Sequence, residues 1–319
     1  MSRVTIRDVA EAAGVSISAV SYILNGSTKK KYADATVKAV KRAAERLGYV
    51  PNQIARGMRS QKANAIGIVN FWENNSAIFA PTLRAVAEAA KALGCVSVVC
   101  TGCDDFSYIA NYKNRIVDGF VVIAPAAMRF NERAHIRALQ EAGAPFVIIN
   151  AGLRLTDVAA VFYNYYEVSA LAVKHLLEKG LQRIVYVDEF VEEAARELRD
   201  RREGYEDTMR EVGLLPRAYD LAHLRVDDLD GIEGIVASRA ETARALMRRL
   251  LDDGMRVPVD FQLIAGSGEE NGREGYAPLT VAEFSYRAAA EYAVRAVMGL
   301  EAPKAFVPSP TIIEGKTTR

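Results

Sequence analysis

The sequence predicts a small, basic, all-α head joined to a long α/β body, and three observations predict it. Charge is unevenly placed: residues 1–62 hold 12 Lys and Arg against 4 Asp and Glu, a net +8, whereas residues 63–319 hold 29 against 36, a net −7. Apolar residues recur at helical spacing up to residue 48, then in strand-length runs separated by helical stretches from residue 65 onward. The chain has 319 residues, half of them apolar and a quarter charged, which suits two or three domains and excludes disordered and collagen-like structure. A basic head on an acidic body suggests that the head meets a polyanion, with an ordinary solvated face as the alternative.

The head reads as three short helices. Thr5 with Asp8 resembles a capping box, after which Ile6, Val9, Ala10 and Ala13 share one face and Gly14 ends the helix. Ser16 can cap a second helix in which Val20 and Leu24 point inward, closed by Asn25-Gly26. A third starts near Asp34 and turns Val37, Val40, Ala44 and Leu47 inward until Gly48. Two short helices about a glycine turn, with a supporting third, make a helix-turn-helix over residues 1–49. The outer face of the second helix offers Ile17, Ser18, Ser21 and Tyr22, side chains suited to base edges and phosphates. Lys29-Lys30-Lys31 is either a phosphate clamp or a solvated loop. Residues 50–62 break the pattern at Tyr49-Val50-Pro51-Asn52, and Gln53–Met58 allow about one and a half helical turns, too short to be stable alone.

The stretch VTIRDVAEAAGVSISAVSYILNG, followed by ERLGYVPNQIARGM, resembles the lactose-repressor (LacI/GalR) family of bacterial transcription regulators. The resemblance is dense over the head and thinner along the whole chain. It implies that the second helix enters a DNA major groove, with Ile17, Ser18 and Tyr22 at base-contacting positions. Many relatives carry Arg where Tyr22 stands, so a bidentate guanine reader is missing here. It further implies that residues 50–62 form a hinge helix folding on DNA against its twin, with Met58 as the minor-groove wedge; a plain linker is the alternative. The DNA-contacting candidates are Thr5, Ser16, Ile17, Ser18, Ser21, Tyr22, Asn25, Asn52, Ala55, Arg56 and Met58.

The body, residues 63–319, alternates strands with helices. AIGIVNFW, CVSVVCTG, DGFVVIAPA and PFVIINAG predict four buried strands, with helices around Leu83–Leu93, Tyr108–Ile116 and Glu132–Ala142. RIVYVDEF, a stretch near Leu221–Val226, GIEGIVAS, QLIAGSG and LTVAEF predict a second set, with helices Val168–Glu178, Ala194–Val212 and Thr242–Leu251. Such alternation implies parallel sheets covered on both faces. Two Rossmann-like subdomains are expected, about 63–163 plus 285–303 and about 164–284 plus 304–319. Helix Tyr286–Met298 returns to the first, and VPSPTIIEG crosses back. The family resemblance implies a periplasmic-binding-protein-like core, whose cleft is the expected effector site.

Candidate effector residues are Arg201, Asn150, Asn164, Ser238 and Gly268. The resemblance places Arg201, before Gly204-Tyr205, where relatives hold a ligand hydroxyl or carboxylate; a surface residue of an Arg-rich helix is the alternative. Ser238-Arg239 and Gly266-Ser267-Gly268-Glu269 stand where relatives carry the amides and carboxylates that grip sugars. A typically bound sugar is therefore not expected. An unpaired Arg201 would favour a ligand carboxylate or phosphate, and a vestigial cleft is the other possibility.

Other chemistry finds no support in the sequence. Cys100 and Cys103 have CxxC spacing, yet with Cys95 they make only three, and His135, His175 and His223 are scattered. No Walker lysine follows Gly266-x-Gly268, and no GxSxG occurs. No catalytic residue, metal or cofactor is expected. No run of about 18 apolar residues occurs, and MSRVTIRDVAEAAG lacks a signal peptide's apolar core. The expectation is a cytoplasmic regulator, nucleoid-associated on DNA, that acts as a homodimeric repressor on a palindromic operator under a small-molecule effector. A transporter's solute-binding protein would need a signal peptide and no basic head, and an enzyme with a DNA-binding head would need a catalytic constellation.

Overall fold

A computed structural model describes residues 4–24, 32–49, 62–70, 79–100, 105–124, 132–150, 158–189, 196–267 and 278–319. The chain divides into two compact units, Met1–Ala63 and Asn64–Arg319.

In the first unit, α1 (Ile6–Ala13), α2 (Ile17–Leu24) and α3 (Asp34–Leu47) form the expected trihelical head. The start of α1 is fixed by Asp8, whose carboxylate accepts from the Thr5 amide at 2.7 Å and from its hydroxyl at 2.8 Å. Gly14 ends α1 at φ 64°, a left-handed turn that any Cβ would strain. Ser16 caps α2, its oxygen accepting from the Ala19 amide at 3.1 Å. Val9, Ala10, Val20, Val40, Ala43 and Ala44 make the core, so the three apolar stripes meet.

The second unit contains two six-stranded sheets. The first holds β1 (Ala65–Asn70), β2 (Val96–Cys100), β3 (Gly119–Ile123), β4 (Phe146–Ile149), β5 (Ala160–Val161) and β11 (Ala305–Phe306), in the order β11-β5-β4-β3-β1-β2. The second holds β6 (Ile184–Asp188), β7 (Ala218–Asp220), β8 (Gly234–Ala237), β9 (Gln262–Gly266), β10 (Thr280–Glu283) and β12 (Thr311–Ile313), in the order β12-β10-β9-β8-β6-β7. Every pairing is parallel except β10–β12. β3, β6 and β8 are buried along their whole length, as continuous apolar runs inside a covered sheet must be.

Helices α4 (Phe79–Ala92), α5 (Ala110–Lys113, after a 3-10 turn at Ser107–Ile109) and α6 (Glu132–Glu141) serve the first sheet. Helices α7 (Tyr165–Glu178), α8 (Arg196–Glu211) and α9 (Ala240–Asp252) serve the second. Helix α10 (Tyr286–Val297) packs on α4 and on β3 and β4, so it does return to the first half. The chain crosses between halves at residues 162–164, 284–285 and 307–310. Caps mark the first two crossings: Asn164 accepts from the Glu167 amide at 3.2 Å, and Ser285 from the Ala288 amide at 3.2 Å.

Three local expectations change. The strand expected near Leu221–Val226 is instead β7 at Ala218–Asp220, followed by a turn and a 3-10 helix at Val226–Leu229. The turn forms because Asp220 takes the Ala222 amide on its side chain and the His223 amide on its carbonyl. Between Tyr108 and Ile116 only one α-turn follows the 3-10 turn. β5 and β11, two residues each, have no counterpart in the expected elements. No helix among the described residues is long and apolar enough to cross a membrane.

Candidate functional site

Two regions collect the candidate residues, one in each unit. In the head, α2 buries Ala19 and Val20 and turns Ile17, Ser18 and Tyr22 outward, with Ile17 37% and Tyr22 40% exposed. Ser21 is half-buried on the same outward side. Thr5 and Ser16 are exposed at the starts of α1 and α2, where both serve as caps. Lys38, Lys41, Arg42 and Arg46 lie exposed along α3. The head therefore shows a short polar-aromatic face on one helix and a cationic helix beside it, the two contributions that base reading and phosphate contact require. Asn25, Asn52, Ala55, Arg56 and Met58 lie outside the described residues, as do Lys29-Lys30-Lys31.

In the second unit the site forms where strand order reverses. β6 lies between β7 and β8, so the carboxyl ends of β6 and β8 flank a topological switch point, the usual ligand crevice of an open parallel sheet. Asp188 ends β6 and Ser238 follows β8. The Ser238 hydroxyl donates to Asp188 Oδ1 at 2.6 Å, and the Tyr186 hydroxyl donates to Oδ2 at 3.4 Å. Asp188 is 3% exposed, and burial pushes its carboxyl above the usual aspartate range despite Ser238, the Glu189 amide, Arg239 and Arg201. Sequence reasoning missed Asp188; its signal is a carboxylate closing the apolar run IVYV.

Arg201 sits on α8 with no exposed surface, so it is not a surface residue of an Arg-rich helix. One guanidinium nitrogen donates to the Gly266 carbonyl at 3.2 Å and another to the Ser267 hydroxyl at 2.7 Å. Glu197, one turn earlier, places an oxygen 3.5 Å from it, and the Tyr165 ring lies 4.7 Å beneath the guanidinium carbon. Burial opposes the charge, but Glu197, Tyr165, Tyr186 and Glu283 together outweigh it and hold the group above its ordinary value. The expectation of an unpaired arginine is thus corrected: α8 itself supplies the carboxylate. A Cβ at Gly266 would lie 2.9 Å from the guanidinium and 2.8 Å from the Ser238 carbonyl, so glycine is what lets Arg201 reach the end of β9.

Asn150 follows β4 at φ 63°, and Ser267 follows β9 at φ 64°, both left-handed and both buried. The Asn150 amide donates to the Ala124 carbonyl at 3.2 Å, and its oxygen accepts from the Tyr165 hydroxyl at 2.9 Å. Asn164 is engaged in capping α7 and is exposed. Gly268 lies outside the described residues. The structure therefore brings the buried Arg201, Asn150 and Ser238 together with buried Asp188 and Ser267 and the half-buried Glu197. An aromatic cluster of Tyr163, Tyr165, Phe284 and Tyr286 adjoins it, with ring centroids 4.5 to 6.4 Å apart.

Cys95 and Cys100 are buried thiols, and burial pushes the Cys100 thiol up; Cys103 lies outside the described residues. No group of three or more His, Cys, Asp or Glu able to hold a metal ion occurs among the described residues.

Comparison with known proteins gives a consistent picture. Residues 5–52 match the family described as bacterial regulatory proteins, lacI family. Residues 63–238 match the periplasmic binding proteins and sugar binding domain of the LacI family, and 173–318 a periplasmic binding protein-like domain. Catabolite control protein A of Priestia megaterium is 25% identical over 82% of this chain and 81% of its own. The HTH-type transcriptional repressor PurR of Mannheimia succiniciproducens is 26% identical over 91% and 90%. Among solved structures, the lac repressor dimer bound to operator and the anti-inducer ONPF has a TM-score of 0.67 at 20% identity, covering 99% of both chains. A complex of the transcriptional regulator CelR with cellobiose has a TM-score of 0.61 at 22% identity, covering 99% of this chain and 100% of that one.

Proposed function

The chain belongs to the lacI family of bacterial regulatory proteins and is a DNA-binding transcription regulator, and from that premise we propose how it works. A dimer binds a near-palindromic operator, each copy laying α2 in a major groove with Ile17, Ser18 and Tyr22 toward base edges. Residues 50–62 act as the hinge, with Met58 as the minor-groove wedge. A small molecule in the cleft of the second unit sets operator affinity by binding two settings of its halves unequally.

The observation that carries this reading is the exposed face of α2, Ile17 and Tyr22 above all, beside the cationic side of α3 in a segment of net +8. A single short recognition helix covers too few base pairs for useful specificity, which is why a dimer and a palindrome follow. The test is selection of genomic fragments by the purified full chain, compared with a chain of residues 64–319. The full chain should enrich palindromic sites, with affinity falling steeply as salt rises, and the shorter chain should enrich none. Equal enrichment by both would overturn the reading.

A regulator whose cleft takes no small molecule is the second reading. It is favoured by the internal partners that the two terminal nitrogens of Arg201 already have in Glu197, Gly266 and Ser267, although its buried Nε has none. A thermal-shift screen of sugars, organic acids, nucleobases and sugar phosphates separates the two: a hit that also changes operator affinity establishes the effector.

A further inference from the structure

We propose that Tyr165 is a positioning residue that makes the setting of Arg201 and the setting of the two halves of the second unit depend on each other. The inference rests on the reading that the halves' relative setting controls operator affinity.

Tyr165 is the first residue of α7, immediately after the chain crosses from the first half to the second. Its two ends face different halves. The hydroxyl donates to Asn150 Oδ1 at 2.9 Å, and the Asn150 amide continues to the Ala124 carbonyl at 3.2 Å, so one phenol reaches the ends of both β4 and β3. The ring supports the Arg201 guanidinium at 4.7 Å, and Arg201 is tied in turn to the end of β9 through Gly266 and Ser267. Phe284, on the returning crossing, packs its ring against Tyr165 at 5.2 Å in an edge-on contact.

All of these groups are buried: Tyr165 is 7% exposed, Asn150 4% and Arg201 fully enclosed. Rotating one half against the other must therefore either break the phenol–amide bond, stranding polar groups away from water, or drag the ring and release the arginine from its stack. Neither outcome is free, so the two settings exchange as discrete states. A side chain that merely filled space would need neither the hydroxyl nor the left-handed Asn150.

Tyr165→Phe deletes only the hydroxyl and keeps the stack beneath Arg201. Asn150→Gly deletes the acceptor and suits φ 63°. Operator affinity and backbone hydrogen exchange would be measured on the full chain for both variants and for the double variant. Each single variant should shift operator Kd by about three- to tenfold, and the double variant by no more than Asn150→Gly, because both remove the Tyr165–Asn150 bond and Asn150→Gly alone also loses the bond to Ala124. Exchange should rise together at 146–150 and at 197–205 in Tyr165→Phe, with the thermal midpoint lowered by a few degrees because the buried Asn150 Oδ1 loses its donor. Wild-type affinity and exchange in Tyr165→Phe, or shifts that multiply in the double variant, would overturn the proposal. If the unaltered chain selects no operator at all, the functional reading fails, and the joint rise in exchange alone decides the coupling.

Discussion

Glu197 lies one helical turn before Arg201 and holds a carboxylate oxygen 3.5 Å from its guanidinium, so the anion that this buried cation faces is part of the same helix. Taking the cation away strands the buried Gly266 carbonyl and Ser267 hydroxyl and leaves the Glu197 carboxylate, 17% exposed, without its partner. Arg201→Met should cost roughly 3–5 kcal/mol of stability in urea unfolding, the range seen when one member of a buried pair is removed. A loss under about 1 kcal/mol would mean that water reaches Glu197 as soon as the guanidinium goes.

At Gly204, α8 runs hard against the start of α7. A Cβ there would run into the backbone carbonyl of Tyr166, and backbone yields less readily than a side-chain end. Gly204→Ala should destabilise the second unit by about 1–3 kcal/mol or more, read by chemical denaturation with circular dichroism. The head should be unaffected.

Asp188 gives the second unit a pH signature. Burial raises its carboxyl pKa above the unfolded value, so the folded chain holds that proton more readily than the unfolded one. The associated stability is complete below the ordinary aspartate pKa and is lost as pH rises through the folded value. Asp188→Asn, which keeps an oxygen for Ser238 and for the Glu189 amide, should melt above wild type at pH 7. The gap should narrow toward pH 4. A gap constant with pH would show that Asp188 stays ionised throughout.

Tyr22, exposed on α2, has one phenolic hydroxyl and one ring face to offer a base pair. Tyr22→Ala should change the preferred base at a single position of each half-site, worth roughly 1–3 kcal/mol, in a binding selection over randomised sites. An equal loss across all sequences would make Tyr22 a phosphate contact instead.

Much of this architecture is legible locally. The Thr5–Asp8 cap, the left-handed Gly14 and Gly48, and the apolar runs of β3, β6 and β8 depend on neighbours within a few residues. The misplaced strand at Leu221–Val226 shows the limit. Leu224 is buried from a turn that Asp220 nucleates, and its spacing alone imitates a strand. Arg201 shows a deeper one. Its three arginine neighbours in sequence, Arg196, Arg199 and Arg202, suggest a solvated face, whereas Gly266 and Ser267, more than sixty residues away, help enclose it. Ser238 was visible as a departure from the expected amide, but not its bond to Asp188, fifty residues earlier.

The two sheets share one strand order, which makes the second unit a repeat, and Asn150 and Ser267 occupy the same rung of it, each bent left-handed just past the fourth strand of its half. The wiring of that rung is not symmetric. Both residues accept from the second half, Asn150 from Tyr165 and Ser267 from Arg201. One half therefore rivets itself through Ser267 and its twin through Asn150. Any swivel between the twins loads the Asn150 rivet and spares the other, so a backbone built twice over wears unevenly.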